Sequence, residues 1–503
     1  MPAEQRSRRR RLLKNSLYGL LSWVLPILPS IIVTPIIVRG LGNDLYGLYV
    51  VITGVISYFF TAGIGKTAAK YIAEYRATGE VGKISDVVSA TIILSFSLAA
   101  AGSALVVIFS RAIVSDILLI PTELQETAIS SLYLACAIAL TLTLSQVFQF
   151  ILQGVQRFDR VLVVTNLNSI LLSVGSFLLI MSGFSVVALL VLTLVVAVAV
   201  AGSACIMFRK LLPEFRFRAN PDAEAWSLVS RYAASIIGYQ AFGSVLLLFE
   251  RGWIVRKFGT AALTFYAVPM ALAMYIHLFI SNLVLALFPA LNELLREPEK
   301  ILVLYKKSTK LVLMLVTFAV VSVIAGGRLF LGLWLTDEFA EASYGLLVIH
   351  AATFALLAMN TIVWQVAESF RVPSLNAIST FAWMAASIPL MILMSEDWQT
   401  TGIALARLAG VFVFVPLIIY VEKRFLGEVS WRFWGGTALR ICVAAGLSWA
   451  VQSVVIKQFH GSWISFFSSV LLGLIIYLAT LTVTRFFDAD EITLARNMLA
   501  RSG

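Results

Sequence analysis

Glu250 and Arg251 stand side by side in an otherwise apolar run, and Arg407 lies alone in another. An unpaired charge in hydrocarbon costs several kcal/mol, so such residues face a cavity or a partner. An arginine fork stays charged and grips oxyanions bidentately, and a carboxylate beside it can take up a proton or a cation. The plainer reading of Glu250 and Arg251 is a structural pair near one membrane surface. For Arg407 it is snorkelling to that surface. Neighbours on a helix point about 100° apart, so Glu250 and Arg251 need not bond each other.

His277 and His350 also lie in apolar runs. Histidine titrates near neutrality and suits proton-linked gating, although a lone membrane histidine more often just bonds a neighbouring helix. Gln146, Gln149 and Gln153 fall at i, i+3 and i+7 and line one helix face. With Asn166 and Asn168 they can wet a polar path or bond helices together. Arg39, Arg256 and Lys66 sit at the ends of runs. There an anion-attracting mouth competes with turn anchoring, or with one more lysine of the kind that gathers at the cytoplasmic surface.

The elements that must carry these residues are membrane helices. The chain has 503 residues, 60% of them hydrophobic and 13% charged, where soluble domains carry about 25% charged residues. About fourteen apolar runs of roughly 20 residues lie between positions 16 and 484, each long enough to cross the hydrocarbon core. Pro26, Pro29 and Pro35 mark the first run as irregular, because prolines free carbonyls and allow bending. Pro269 breaks the eighth, which is unusually long.

The net charge of +11 reads through the positive-inside rule rather than as nucleic-acid binding. Lysines and arginines cluster at Arg6–Lys14, at Lys66, Lys70, Arg76 and Lys83, and at Arg296–Lys310. Acids such as Asp116, Glu123, Asp337, Glu341 and Asp397 gather on the other side. Both termini are therefore expected in the cytoplasm, the N-terminus as an uncleaved signal-anchor. Cys136, Cys205 and Cys442 all lie in apolar runs, so neither a disulfide framework nor a metal site is expected.

The chain repeats itself. A shift of 217 residues lays Ile37-Val38-Arg39 on Ile254-Val255-Arg256, Gly42 on Gly259, and Tyr49, Val51 and Tyr58 on Tyr266, Val268 and Tyr275. The same shift pairs Lys83 with Lys300 and Arg111 with Arg328. The region of Gln146–Asn168 matches Gln365–Asn376 only with a gap. An all-α plan follows: a basic N-terminus (1–15), a six-helix lobe with its following loop (16–225), a second such lobe in the same orientation (226–425), an extra helix pair (426–484) and a tail (485–503). Repeats of this kind are found in secondary transporters, with the site between the halves.

The stretch from Pro35 through IIVRGLG and LYGLYVV to Ala62-Gly63-Ile64-Gly65 and KYIAEY resembles the polysaccharide transporter family. Its members include O-antigen and exopolysaccharide flippases of the multidrug/oligosaccharidyl-lipid/polysaccharide exporter superfamily. The resemblance implies two lobes around a cavity that opens alternately to each side of a bacterial inner membrane. The implied cargo is a polyprenyl-(pyro)phosphate-linked oligosaccharide for surface polysaccharide, with lipid II-like substrates remaining open.

On that reading Arg251, Arg407, Arg39, Arg256 and Lys66 are phosphate and cavity candidates. Glu250 and His277 are coupling or gating candidates, for H+ or Na+. Gln146, Gln149, Gln153, Asn166 and Asn168 line the sugar path. Spans 1 and 7 bend to gate the cavity, the latter at Gly238, Gly243 and Gly252, and the extra pair guides the lipid tail. Membrane lipids and polysaccharide polymerase machinery are the implied partners; no cofactor is called for.

Two rivals stand beside this reading. One is a cation-coupled drug or metabolite exporter, which would want acidic cavity faces and twelve spans. The other is a membrane glycan polymerase or transferase. Its expected large external loop is missing from the sequence, and the single Asp-X-Asp triplet, Asp488-Ala489-Asp490, reads as a helix N-cap. The chain carries no nucleophile elbow, P-loop or zinc motif.

Overall fold

The computed structural model describes residues 25–59, 64–284, 287, 291–292, 294, 297–459 and 461–488. The basic cluster Arg6–Lys14, the start of the first apolar run, Ala62-Gly63, Arg296 and Ala489-Asp490 lie outside the described residues. Among the described residues every regular element is a helix.

The principal helices are α1 (Ile27–Phe59), α2 (Gly65–Thr78), α3 (Val81–Ile108), α4 (Thr122–Gly154), α5 (Phe158–Met181), α6 (Val186–Leu211) and α7 (Ala223–Val284). They continue with α8 (Pro298–Trp334), α9 (Asp337–Ser369), α10 (Ser374–Val411), α11 (Phe414–Phe425), α12 (Trp431–Gln458) and α13 (Trp463–Val483).

Ten helices among the described residues are long and apolar enough to cross a membrane. Two of those ten, Gln240–Val284 and Ser374–Phe425, contain a backbone reversal and so hold two crossings each. The kinked α1 supplies two more, giving fourteen in a multi-pass membrane protein.

The reversals explain themselves residue by residue. Gly42 inside α1 has φ +76° and ψ 169°, and Gly259 inside α7 has φ +86° and ψ 173°. That corner of backbone space belongs to glycine alone. The two glycines that the 217-residue shift superposes thus make the same kink, each dividing one long helix into two arms.

A second pair of equivalent turns follows α4 and α9. Gln156 (φ +58°) and Arg371 (φ +60°) each close a helix end. Arg157 N donates to Leu152 O in one turn and Val372 N to Ala367 O in the other, both at 2.9 Å. This left-handed cap satisfies orphan carbonyls, and the two turns lie 215 residues apart, close to the 217-residue repeat.

In α10 the reversal falls at Gln399 (φ +47°). A Cβ on Gly402 would overlap the Met394 carbonyl, so only glycine lets the two arms approach there. Between α10 and α11 the helix is interrupted at Phe412 and Val413. Pro416 accounts for this, since its ring clashes with the carbonyl four residues earlier.

The chain forms two compact units, Met1–Thr264 and Phe265–Gly503. In the first, α4 packs against α2, α3 and α6, while α5 packs against α1 and α6. A core of Ala68, Ile72, Val87, Val88, Ile151 and Phe208 ties α2, α3, α4 and α6 together.

In the second unit α9 packs against α8, α10 and α11, and the pair α12 and α13 docks on α8. Polar seams fix that pair. Tyr477 Oη donates to Met314 O at 3.0 Å, and Ser448 Oγ to Gly473 O at 2.9 Å. Glu422, fully buried, accepts from Tyr305 Oη (2.9 Å), Trp434 Nε1 (2.8 Å) and Ser430 N (3.3 Å). A buried carboxylate with three donors is solvated by protein instead of water.

Candidate functional site

Within the first unit the arm of α7 before Gly259 brings Arg251 against the second arm of α1. Arg251 Nη1 donates to Val50 O at 2.9 Å. The seat exists because Gly54 has no side chain: a Cβ there would lie 2.5 Å from Nη1 and 3.2 Å from Cδ of Arg251. Thr53 Oγ1, one residue away, donates to Tyr49 O at 2.8 Å. Arg251 is half-buried and Glu250 wholly buried. Val50 and Gly54 escaped the sequence reading; the only signal was a glycine in the middle of an apolar span.

Five residues further on, Arg256 is exposed and donates to Asp116 O (2.6 Å) and Ile117 O (2.9 Å). These carbonyls end a π-helical turn (Ile113–Ile117), where backbone oxygens lack helical partners. Beside it the two glycine turns meet: Thr260 Oγ1 donates to Asp44 Oδ1 at 2.9 Å and Thr264 Oγ1 to Asn43 O at 2.6 Å. Arg39, the duplicate of Arg256, is exposed on α1.

The amide stripe on α4 is half-buried. Gln149 Nε2 donates to Ser145 Oγ (3.3 Å), and Gln149 Oε1 accepts from Thr165 Oγ1 of α5 (3.5 Å). Asn166 Nδ2 bonds within its own helix, to Leu162 O at 2.9 Å. Gln146, Gln153 and Asn168 are likewise half-buried on α4 and α5, and Lys66 is exposed in the first turn of α2.

Within the second unit Arg407 is 4% exposed and sits over two rings, 5.0 Å from the Trp383 centroid and 5.7 Å from that of Phe354. Such faces attract a guanidinium, and Trp383 Nε1 donates to Arg407 O at 3.4 Å. His350 is buried edge-on to Tyr266, at 4.6 Å. His277 lies 6.4 Å from Phe354, its Nε2 paired with Ser281 Oγ at 3.3 Å. Phe354 and Trp383 were not singled out from sequence, and Tyr266 only as the repeat partner of Tyr49, since aromatic residues in apolar runs carry no signal of their own.

Paired half-helices, two glycine reversals at equivalent positions and arginines inside spans define a membrane transporter fold. The chain belongs to the family described as "Polysaccharide biosynthesis protein", whose model matches residues 12–295, more than half of its length. It is 21% identical over 431 residues to a putative O-antigen transporter from Shigella flexneri, covering 82% of this chain and 98% of that protein.

Among solved structures it is similar to the lipid II flippase MurJ in an inward closed conformation, with TM-score 0.71 and 13% identity over 93% of this chain and 98% of that one. It also resembles an inward-facing multidrug resistance MATE transporter of the MOP superfamily, with TM-score 0.69 and 16% identity over 83% and 96% of the two chains. At these identities the structural likeness shows a shared fold.

Proposed function

We propose that this protein moves a polyprenyl-(pyro)phosphate-linked oligosaccharide from the cytoplasmic to the outer leaflet of a bacterial inner membrane, by alternating access, for surface polysaccharide assembly. Family membership and the match, over 82% of this chain, to a protein named as a putative O-antigen transporter support the cargo class. The observation that carries the reading is Arg251, an intramembrane guanidinium with a built seat on Val50 O and Gly54 beside the buried Glu250. A membrane phosphate needs such a planar cation in place of water.

On this reading both termini face the cytoplasm, and Lys66 meets the incoming phosphate with the electropositive start of α2 behind it. Arg39 and Arg256 flank the outer mouth, and the α4–α5 amides hydrate the sugar. Arg407 is the cation of the second lobe, Glu250 and His277 couple to H+ or Na+, and α12 with α13 guides the tail. The lobes are 16–225 and 226–425, and product passes to polysaccharide polymerase machinery.

The deciding experiment deletes the gene and locates the lipid-linked glycan. Complete repeat units stranded on the cytoplasmic leaflet, restored to export by the wild-type chain and not by Arg251→Ala, support the reading. Single units that reach the outer leaflet but are never joined would instead indicate a polymerase. No change in any lipid-linked glycan would indicate a drug or metabolite exporter.

A further inference from the structure

The connector 212–222 between α6 and α7 is bonded to the start of α3 by side chains. Arg216 N donates to Ser85 Oγ (3.3 Å), Arg218 N to Ser89 Oγ (3.0 Å) and Asp222 N to Asp86 Oδ1 (3.4 Å). The Arg218 guanidinium pairs with Asp86 Oδ2. Ser85, Asp86 and Ser89 are all buried and fall at i, i+1 and i+4, on one side of α3.

Surface connectors ordinarily give their amides to water. Ordering this one costs backbone entropy that its bonds must offset. Apolar contacts extend the same grip at both ends. Phe215 packs on Phe208 at 4.8 Å, Leu212 is buried, and Ala225 and Val229 of α7 join the core formed by Ile72, Val88 and Ile151. Lys83 adds a bond to Glu224 at 3.7 Å.

We propose that Asp86 is a clasp that keeps this strap and the first two turns of α7 fixed to α3 throughout the transport cycle. The proposal rests on the transport reading for the word cycle alone. Its mechanical consequence is specific: the connector between the sequence halves is not the hinge, and α7 must bend beyond Val229. Gly243 suits that bend, since the space beside its Cα is open to at least 4 Å.

The test uses the full chain in native membranes, with Cys136, Cys205 and Cys442 replaced by alanine. Ser85→Cys with Arg216→Cys is cross-linked by oxidation, and glycan export is compared before and after reductant. Export unchanged by the cross-link is expected; a loss that reductant restores would show that the strap must release and would overturn the proposal. In a second arm, Leu212→Cys, buried at the start of the strap, is labelled with a membrane-impermeant maleimide in inverted vesicles. Adding Asp86→Ala should raise the labelling rate about tenfold, the effect of losing hydrogen bonds to a charged group. An unchanged rate would show that Asp86 is no clasp. The labelling arm needs no substrate, so it decides the clasp even if the cargo proves not to be a lipid-linked glycan.

Discussion

Arg251 and Arg407 are both intramembrane cations, yet their surroundings differ in kind. Arg251 rests on a backbone carbonyl in a notch left by a glycine, and Arg407 is packed between aromatic faces. Different substitutions therefore report on them. Arg251→Lys keeps the charge but not the fork. Export should fall at least about tenfold, since a charge-assisted contact is worth roughly 1.5–3 kcal/mol. Gly54→Val should do the same by filling the notch, with membrane levels of the protein as the control. For Arg407, an apolar residue of similar length tests charge apart from packing. Replacing a buried ionic group by a well-packed apolar one is often neutral or stabilising. Arg407→Met should thus keep or raise the melting temperature in detergent while lowering export. Normal export by that variant would assign Arg407 to packing alone.

At the scale of elements, the two glycine reversals are the strongest link between sequence and architecture. Gly42 and Gly259 occupy the same glycine-only conformation, and a Cβ on either meets no atom within 4 Å. Substitution then costs backbone strain and nothing else. Gly42→Ala and Gly259→Ala should each lower stability by roughly 1–3 kcal/mol, by similar amounts. Thermal unfolding of the purified protein checks this, and a large difference between the two would break the equivalence of the turns. Gly402→Ala should be worse for a different reason, the collision with the Met394 carbonyl. Gly446→Ala, in open space within α12, should be neutral or mildly stabilising.

For the molecule as a whole, the charge pattern makes a topological prediction. A cysteine replacing Glu74, exposed on α2, should react with impermeant reagent only from the cytoplasmic side. One replacing Glu341, exposed on α9 and paired with Arg328, should react only from the other. The reverse pattern would invert the proposed orientation and with it the direction of transport.

The chain's apolar runs, their number and their duplication were legible in the sequence because hydrocarbon demands long helices whatever their neighbours. Glycine pairing was legible because positive φ leaves few other choices. Tertiary structure alone decided where the side chains went. It seated Arg251 on Val50, turned Arg256 onto the carbonyls at 116 and 117, enclosed Arg407 between rings contributed by α9 and α10, and strapped the 212–222 connector to Asp86. Each of these depends on which faces of distant helices meet. Lipid is as apolar as leucine, so the hydrophobic pattern of a membrane helix does not say which face turns inward.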